Sequence, residues 1–186
     1  IGRVVPIKDV KTFLRAMRTL VNEIPDAKGW IAGPEDEDKE YAAECRSLVT
    51  SLGLEKNVEF LGFQKIDELL PKVGVVVLSS ISEALPLVLL EGFAAGVPAV
   101  STDVGSCRQL IEGLDEDDRA FGTAGSVVGI ADPEALGKAV ANLLSNPQAW
   151  HEAQQAGIRR VETLYTQQQM FGSYRELYQG LLEGER

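Results

Sequence analysis

Apolar residues recur along the chain at two different spacings, which alternate. Residues 9–24 keep one apolar face at the three- and four-residue spacing of a helix, and residues 41–52 do the same. Short apolar runs lie between and after these segments, at 28–33, 57–62 and 75–79. Strands that alternate with helices in this way predict right-handed βαβ crossovers and a parallel sheet.

The whole pattern predicts an α/β, Rossmann-like fold with about six parallel strands and helices on both faces of the sheet. The predicted strands are residues 1–5, 28–33, 57–62, 75–79, 98–102 and 125–130. The predicted helices are residues 9–24, 41–52, 66–73, 86–95, 107–112 and 167–183, and residues 114–122 are predicted to form an acidic loop. Two further helices are expected to begin at Asp132-Pro133 and Asn146-Pro147, because a capping side chain followed by proline favours a helix start.

Composition narrows the possible functions. The chain has 28 acidic and 18 basic residues and a formal net charge of −10, which disfavours a nucleic-acid or anionic-membrane surface. No apolar run reaches the roughly 18 residues of a membrane span, and no signal peptide is visible, so we expect no direct membrane insertion. Cys45 and Cys107 form no CxxC pair, which favours free thiols and a cytoplasmic setting. The chain begins Ile-Gly-Arg, as if inside a strand, and we expect a fragment or the ordered part of a longer chain.

Residues 79–98, SSISEALPLVLLEGFAAGVP, carry the strongest chemical signal. A helix is expected to open at Pro86, and no side chain just before it can act as a cap. The first amides of that helix, near Leu87 and Val88, are therefore predicted to be free to hold phosphate oxygens. Glu83 and Glu91 flank the helix start, eight residues apart, and could accept hydrogen bonds from sugar hydroxyls. We expect Glu91 to have a partner, because the turn around it is apolar.

Two cations bracket the first predicted turn from strand to helix. Arg3 can hold a diphosphate through two N–H groups, and Lys8 adds a point charge. Loops that follow parallel strands meet at one edge of the sheet, so we expect both cations near Glu83, Glu91 and Phe63. The alternative for each residue is an ordinary solvated side chain.

Other candidate motifs are weak. Asp36-Glu37-Asp38 and Asp115-Glu116-Asp117 match the DxD pattern of metal-dependent sugar transferases, but both lie in acidic runs that are typical of solvated loops. His151, the single histidine, lies in a polar helical stretch and is expected at the surface. Neither a GxGxxG nor a GxxxxGK[ST] fingerprint is present. We expect no metal and no separate cofactor.

The quoted residues resemble a known family. Gly2-Arg3 with Lys8, followed by SEALPLVLLEGFAAGVPAVSTDVGSCRQLI, is similar to the C-terminal, donor-binding domain of family 4 retaining glycosyltransferases of the two-domain GT-B fold. Glu83 and Glu91 match the ends of that family's E-x7-E motif. IGRVVPIKDVKTFLRA and DVGSCRQLIEG look closest to the PelF branch, which is implicated in building the Pel biofilm exopolysaccharide. Many family members have two glycines where this chain has Gly105-Ser106.

The resemblance implies a role for each matching residue. Arg3 and Lys8 would neutralise the diphosphate of a UDP-sugar and stabilise the departing UDP. Glu83 would bind the transferred sugar and Glu91 the ribose. The amides near Leu87 and Val88 would hold phosphates, and the backbone around Gly62 and Phe63 would meet the uracil. UDP-glucose would be the first candidate for the donor. The anomeric configuration of the transferred sugar would be retained.

The resemblance also implies a division of the chain. Residues 1–166 would bind the nucleotide sugar, and the helix from 167 to 186 would cross to an N-terminal acceptor domain that is absent here. We therefore expect these 186 residues to bind nucleotide weakly and not to transfer sugar. Partners would be that domain and other polysaccharide-synthesis proteins. Two alternatives stay open: a nucleotide-sugar epimerase of the same architecture, and a non-catalytic module that senses nucleotide sugars or assists assembly.

Overall fold

The computed structural model describes residues 1–184, in which parallel strands alternate with helices. The strands are Gly29–Ala32 (β1), Val58–Gly62 (β2), Val76–Leu78 (β3), Ala99–Thr102 (β4) and Gly125–Val128 (β5). The helices are Val10–Glu23 (α1), Lys39–Ser51 (α2), Ile66–Leu69 (α3), Leu87–Ala94 (α4), Cys107–Glu112 (α5), Glu116–Arg119 (α6), Pro133–Ser145 (α7), Pro147–Leu164 (α8) and Gln167–Glu183 (α9). No helix in this part of the chain is long and apolar enough to cross a bilayer.

The strands form two hydrogen-bonded sheets rather than one. β1 pairs with β2, and β3, β4 and β5 pair in that order, with every pair parallel. The α/β class and the parallel pairing are confirmed, but the prediction of six strands in a single sheet is wrong for the described residues. Residues 1–5, predicted as a strand, form none; Gly2 N bonds Ala32 O and Val4 N bonds Pro34 O, beside β1.

Side chains from the three-stranded sheet enter two separate apolar clusters. Ala99 belongs to one cluster and its neighbour Val100 to the other, because successive residues of a strand point to opposite faces. Helices α1 and α7 cover the Val100 side, where the missing side chain of Gly137 lets α7 approach the Ala16 carbonyl. Helices α4 and α5 cover the Ala99 side. The prediction of helices on both faces is confirmed.

Capping residues fix several helix starts as predicted. Asp132 accepts a hydrogen bond from Ala135 N, and Asn146 accepts one from Ala149 N, each with proline at the first helical position. The acidic segment 114–122 differs from the prediction, because Asp115 caps the short helix α6 within it. The last strand ends at Val128, not at residue 130.

A buried ion pair connects α8 to the segment between α5 and β5. Arg160 is fully buried, and its guanidinium donates to the Asp118 carboxylate and to the carbonyls of Ile111 and Gly122. The second carboxylate oxygen of Asp118 accepts from Leu114 N at 2.8 Å. Both charges therefore have the additional hydrogen bonds that a buried pair needs to offset desolvation.

Helix α9 leaves a row of large apolar side chains exposed. They are Met170, Phe171, Tyr174, Leu177, Tyr178, Leu181 and Leu182. The predicted helix at 167–183 is confirmed. Its assignment as a separate crossing element remains a prediction, and residues 185 and 186 of that segment lie outside the described residues.

Replacing Arg160 by methionine should lower the free energy of unfolding by about 3–5 kcal/mol, because it leaves the Asp118 carboxylate buried without its cation. Urea denaturation followed by circular dichroism measures the loss. Arg159→Met is the matched control, since Arg159 is the preceding residue of α8 and is exposed. A loss below about 1 kcal/mol for Arg160→Met would show that the pair does not hold this segment.

Candidate functional site

A cavity of about 240 Å³ lies beyond the carboxyl ends of β1 and β3. Five of the eight predicted site residues line it: Arg3, Lys8, Glu83, Leu87 and Val88. The first two come from the segment before α1, and the others come from the loop after β3 and the start of α4. The edge of the sheet therefore brings these five together as predicted.

Two oppositely charged side chains that line the cavity, Lys8 and Glu83, bond directly to each other. Lys8 Nζ lies 2.6 Å from Glu83 Oε1, with 28% and 12% of the two side chains exposed. An ammonium has three N–H donors, so two remain for a ligand. Ser80 Oγ donates to the same Oε1 at 2.6 Å. Within residues 1–184 no protein donor bonds Glu83 Oε2, which leaves that oxygen as an acceptor for a ligand hydroxyl.

Two buried serines at the end of β3 position this pair. Ser80 is held by a hydrogen bond from Thr102 Oγ1 to its carbonyl at 2.6 Å, and Ser79 Oγ donates to the Lys8 carbonyl at 3.0 Å. The sequence places both serines at the end of an apolar strand, but no pattern in it predicts a role for them. Their position after an apolar strand indicates that both serines are buried. A buried hydroxyl needs a hydrogen-bond partner, and this requirement could have identified them.

The loop at Gly105 supports Glu83 from the other side. Gly105 has φ +50°, and a Cβ added there would lie 2.3 Å from the Glu83 carbonyl oxygen. Ser106 N donates to the Ala84 carbonyl at 2.9 Å. The first position of this loop therefore requires glycine, whereas Ser106 has an ordinary backbone conformation with φ −89°.

Helix α4 begins without a side-chain cap. Pro86 occupies the N-cap position and no side chain bonds the first amides, as predicted. Leu87 is 61% exposed, and both Leu87 and Val88 line the cavity. Unpaired amides at a helix N-terminus, together with the helix dipole, favour an anion at this point.

Arg3 reaches the cavity but is already bonded to a carboxylate. Its NH1 lies 2.7 and 2.8 Å from the two oxygens of Glu37, and both side chains are 52% exposed. An exposed pair of this kind is worth about 1 kcal/mol or less. A dianionic ligand can therefore displace Glu37 from Arg3 at small cost.

Three predicted residues do not line this cavity: Gly62, Phe63 and Glu91. Gly62 ends β2 with φ +63°, and the Phe63 ring beyond it is 82% exposed. Glu91 is exposed on α4, and in the described part of the chain it has no ion pair. The prediction that the apolar surroundings of Glu91 give it a partner is therefore wrong for the described residues. Its side of the helix faces solvent rather than the apolar core.

The weaker candidates have local structural roles. Asp38 caps α2 through Tyr41 N, and Asp115 caps α6 through Asp118 N. Among the described residues, no three His, Cys, Asp or Glu side chains form a group that could hold a metal ion. His151 is exposed on α8, as predicted.

Neither cysteine is a candidate nucleophile. Both are free, as expected, and both are buried. Burial raises the pKa of Cys45 to about 11, and burial also raises the pKa of Cys107. Both thiols are therefore protonated at neutral pH, whereas a reactive cysteine needs its thiolate.

Comparisons with known proteins identify the family of this chain. The family model described as "Glycosyl transferases group 1" matches residues 1–160. An exopolysaccharide phosphotransferase of Streptomyces coelicolor is 36% identical over 149 residues, which cover 77% of this chain and 14% of that protein. N-acetyl-alpha-D-glucosaminyl L-malate synthase of Bacillus anthracis is 28% identical over 184 residues, which cover 97% of this chain and 44% of that protein. The chain thus spans less than half the length of these curated relatives.

Among solved structures, the fold matches HepE of Anabaena, crystallised with UDP and glucose. The TM-score is 0.78 at 20% identity, over 94% of this chain and 47% of that one. This structural likeness shows the fold alone. The family assignment depends on the match to the glycosyltransferase family model over residues 1–160. With parallel sheets, helices on both faces and a GT-B-like architecture, this chain belongs to the group 1 glycosyltransferase family.

Proposed function

We propose that this domain binds the donor of a retaining glycosyltransferase, a UDP-sugar, with UDP-glucose the first candidate. One observation carries the proposal: Arg3, Lys8, Glu83 and the uncapped start of α4 converge on one cavity. Two cations and a helix N-terminus suit a diphosphate, and a carboxylate with one unbonded oxygen suits sugar hydroxyls. The crystal structure of HepE with UDP and glucose supports this choice of donor.

The proposal gives each group a task in the reaction. As the bond between the sugar and UDP breaks, negative charge grows on the departing diphosphate. Arg3, Lys8 and the amides near Leu87 and Val88 stabilise that charge, in place of a divalent metal. The acceptor attacks from the face that UDP leaves, and the departing phosphate takes its proton. No protein nucleophile is assigned.

The remaining predicted residues extend the donor site beyond the cavity. Glu91, exposed on α4, would bind the ribose hydroxyls, and the segment around Gly62 and Phe63 would meet the uracil. An aromatic ring as exposed as Phe63 can cover a base in the bound state. These assignments come from the family resemblance.

We further propose that the donor domain serves a growing exopolysaccharide, as in the PelF branch, in the cytoplasm. The relative from Streptomyces coelicolor, whose name refers to exopolysaccharide, supports this context. The acceptor would be held by a second domain, against which the exposed apolar side chains of α9 would pack. Other polysaccharide-synthesis proteins are further candidate partners.

Nucleotide titration calorimetry on this chain tests the donor class. UDP and UDP-glucose should bind more tightly than GDP, ADP and their glucose conjugates. Arg3→Ala should weaken UDP binding about tenfold or more, because a charge-assisted hydrogen bond contributes about 1.5–3 kcal/mol. Arg18→Ala is the control, since Arg18 is exposed on α1. Equal affinity for all nucleotides, or none, would contradict the proposed donor.

Glu37→Gln should tighten UDP binding about two- to fivefold, because it frees Arg3 from an exposed ion pair worth up to about 1 kcal/mol. The same calorimetry measures the change. Glu44→Gln removes a comparable exposed pair with Lys11 and should leave the affinity unchanged. Weaker binding in Glu37→Gln would show that Glu37 helps to hold the ligand rather than competing for Arg3.

Glu83→Ala in a complete protein that contains this domain should lower kcat about 100-fold or more, because a donor-sugar contact that strengthens in the transition state is lost. Glu91→Ala should mainly raise KM. The 186-residue chain alone should bind UDP-glucose without transferring glucose. Sugar transfer by that chain, or unchanged turnover in Glu83→Ala, would refute these assignments. Product analysis also distinguishes transfer from epimerisation and from binding without turnover.

A further inference from the structure

The segment that follows β3 holds the backbone on which Lys8 lies. Ser79 Oγ donates to the Lys8 carbonyl at 3.0 Å. Two residues later, Ile81 N donates to the Ile7 carbonyl, also at 3.0 Å. The loop that carries the Lys8 ammonium is therefore bonded to the end of β3 at two successive carbonyls, and that strand fixes where the ammonium can reach.

The residue between these two, Ser80, acts on the other member of the ion pair. Its hydroxyl has one proton, which it donates to Glu83 Oε1 at 2.6 Å. Lys8 Nζ lies 2.6 Å from the same oxygen. Within residues 1–184, Glu83 Oε2 accepts no hydrogen bond from the protein. Both partners of the carboxylate therefore bond one of its oxygens and leave the other open.

An ammonium by itself attracts both oxygens of a carboxylate, so bonding to one oxygen needs a second group. The terminal torsion of a glutamate is broad, which lets the carboxylate plane turn at small cost. The Ser80 hydroxyl opposes that turn, because it is fixed on the strand end and donates to Oε1. Only 12% of the Glu83 side chain is exposed, so water is largely excluded as a substitute donor. Ser80 therefore decides which oxygen of Glu83 stays open to a ligand.

Strand β4 fixes Ser80 in turn. Ser80 is 2% exposed, and Thr102 Oγ1 donates to its carbonyl at 2.6 Å. Thr102 is fully buried at the end of β4, and the parallel pairing of Leu78 with Ser101 aligns the two strand ends. Valine has nearly the shape of threonine but donates no hydrogen bond, so the hydroxyl is the part of Thr102 that holds Ser80.

We propose that Ser80 and Thr102 are positioning residues for the donor sugar. Thr102 fixes Ser80, and Ser80 keeps Oε1 of Glu83 occupied so that Oε2 faces the sugar hydroxyls. Lys8 then keeps two of its three N–H groups for the diphosphate. The inference rests on the proposed function, since it names the oxygen by which Glu83 binds the sugar. It separates recognition of the sugar, which needs this chain of hydrogen bonds, from binding of UDP, which does not.

Calorimetry on this chain tests the proposal through the affinity for UDP-glucose relative to that for UDP. Ser80→Ala and Thr102→Val should each lower that ratio at least about fivefold, because a sugar hydroxyl loses its bond to a charged oxygen. The affinity for UDP itself should change less than about twofold. Thr102→Ser keeps the hydroxyl and should preserve the ratio. The matched control is Ser101→Ala, which removes a buried hydroxyl that donates to the Thr102 carbonyl and should leave the ratio unchanged.

A double variant separates positioning from general damage to the fold. Glu83→Ala has no carboxylate to orient, so adding Ser80→Ala to it should change the ratio less than about 1.5-fold. An equal loss with and without the Glu83 side chain would overturn the proposal, because Ser80 would then act only by holding the fold. Loss of UDP affinity in proportion to UDP-glucose affinity in Ser80→Ala would overturn it as well.

A crystal structure of unliganded Ser80→Ala tests the geometry without any nucleotide. Both oxygens of Glu83 should then lie within hydrogen-bond distance of Lys8 Nζ. An unchanged carboxylate, with Lys8 on Oε1 alone, would overturn the proposal. A turned carboxylate together with an unchanged affinity ratio would confirm that Ser80 orients Glu83 and would contradict the sugar-binding role proposed for Glu83. Failure of the positioning and failure of the proposed function thus give different results.

Discussion

The ion pair between the Lys8 ammonium and the Glu83 carboxylate joins the first loop of the chain to the loop after β3. These residues are 75 positions apart, and both lie at the end of the sheet where a ligand would sit. The pair is mostly shielded from water, so its geometry depends on further hydrogen bonds. Ser80 supplies one to Glu83, and Ser79 holds the backbone of Lys8. The two charges are thus positioned before any ligand arrives.

This local arrangement also reconciles an acidic protein with the anionic ligand proposed for it. The formal net charge of −10 gives no general attraction for phosphate. At the cavity, however, Arg3, Lys8 and the start of α4 all contribute positive charge to the lining. The nearby carboxylates Glu37 and Glu83 offset part of that charge in the absence of ligand. Affinity for the proposed diphosphate would then depend on how readily it replaces Glu37 at Arg3.

Local patterns predicted most of the elements. The helix at Val10–Glu23 follows from its apolar spacing, and the starts at Pro133 and Pro147 follow from their caps. The segment 1–5 was predicted as a strand and is not one, because strand pairing needs a neighbour that local sequence does not reveal. Glu91 was expected to have a partner because its neighbours are apolar, yet it lies on the solvent side of α4. Packing decides which side of a short helix faces the core. A run of apolar residues does not specify that side.

Sequence patterns alone predict the α/β class, the uncapped helix start and five of the residues that line the cavity. These depend on periodicity, on capping chemistry and on the rule that parallel strands end at one edge. The tertiary structure decided which partners those residues have: Ser80 for Glu83, Glu37 for Arg3, and the Gly105 loop behind the Glu83 backbone. It also decided that the strands form two sheets with a cleft between them. Such contacts join segments distant in the chain, so they depend on how elements pack and not on any local pattern.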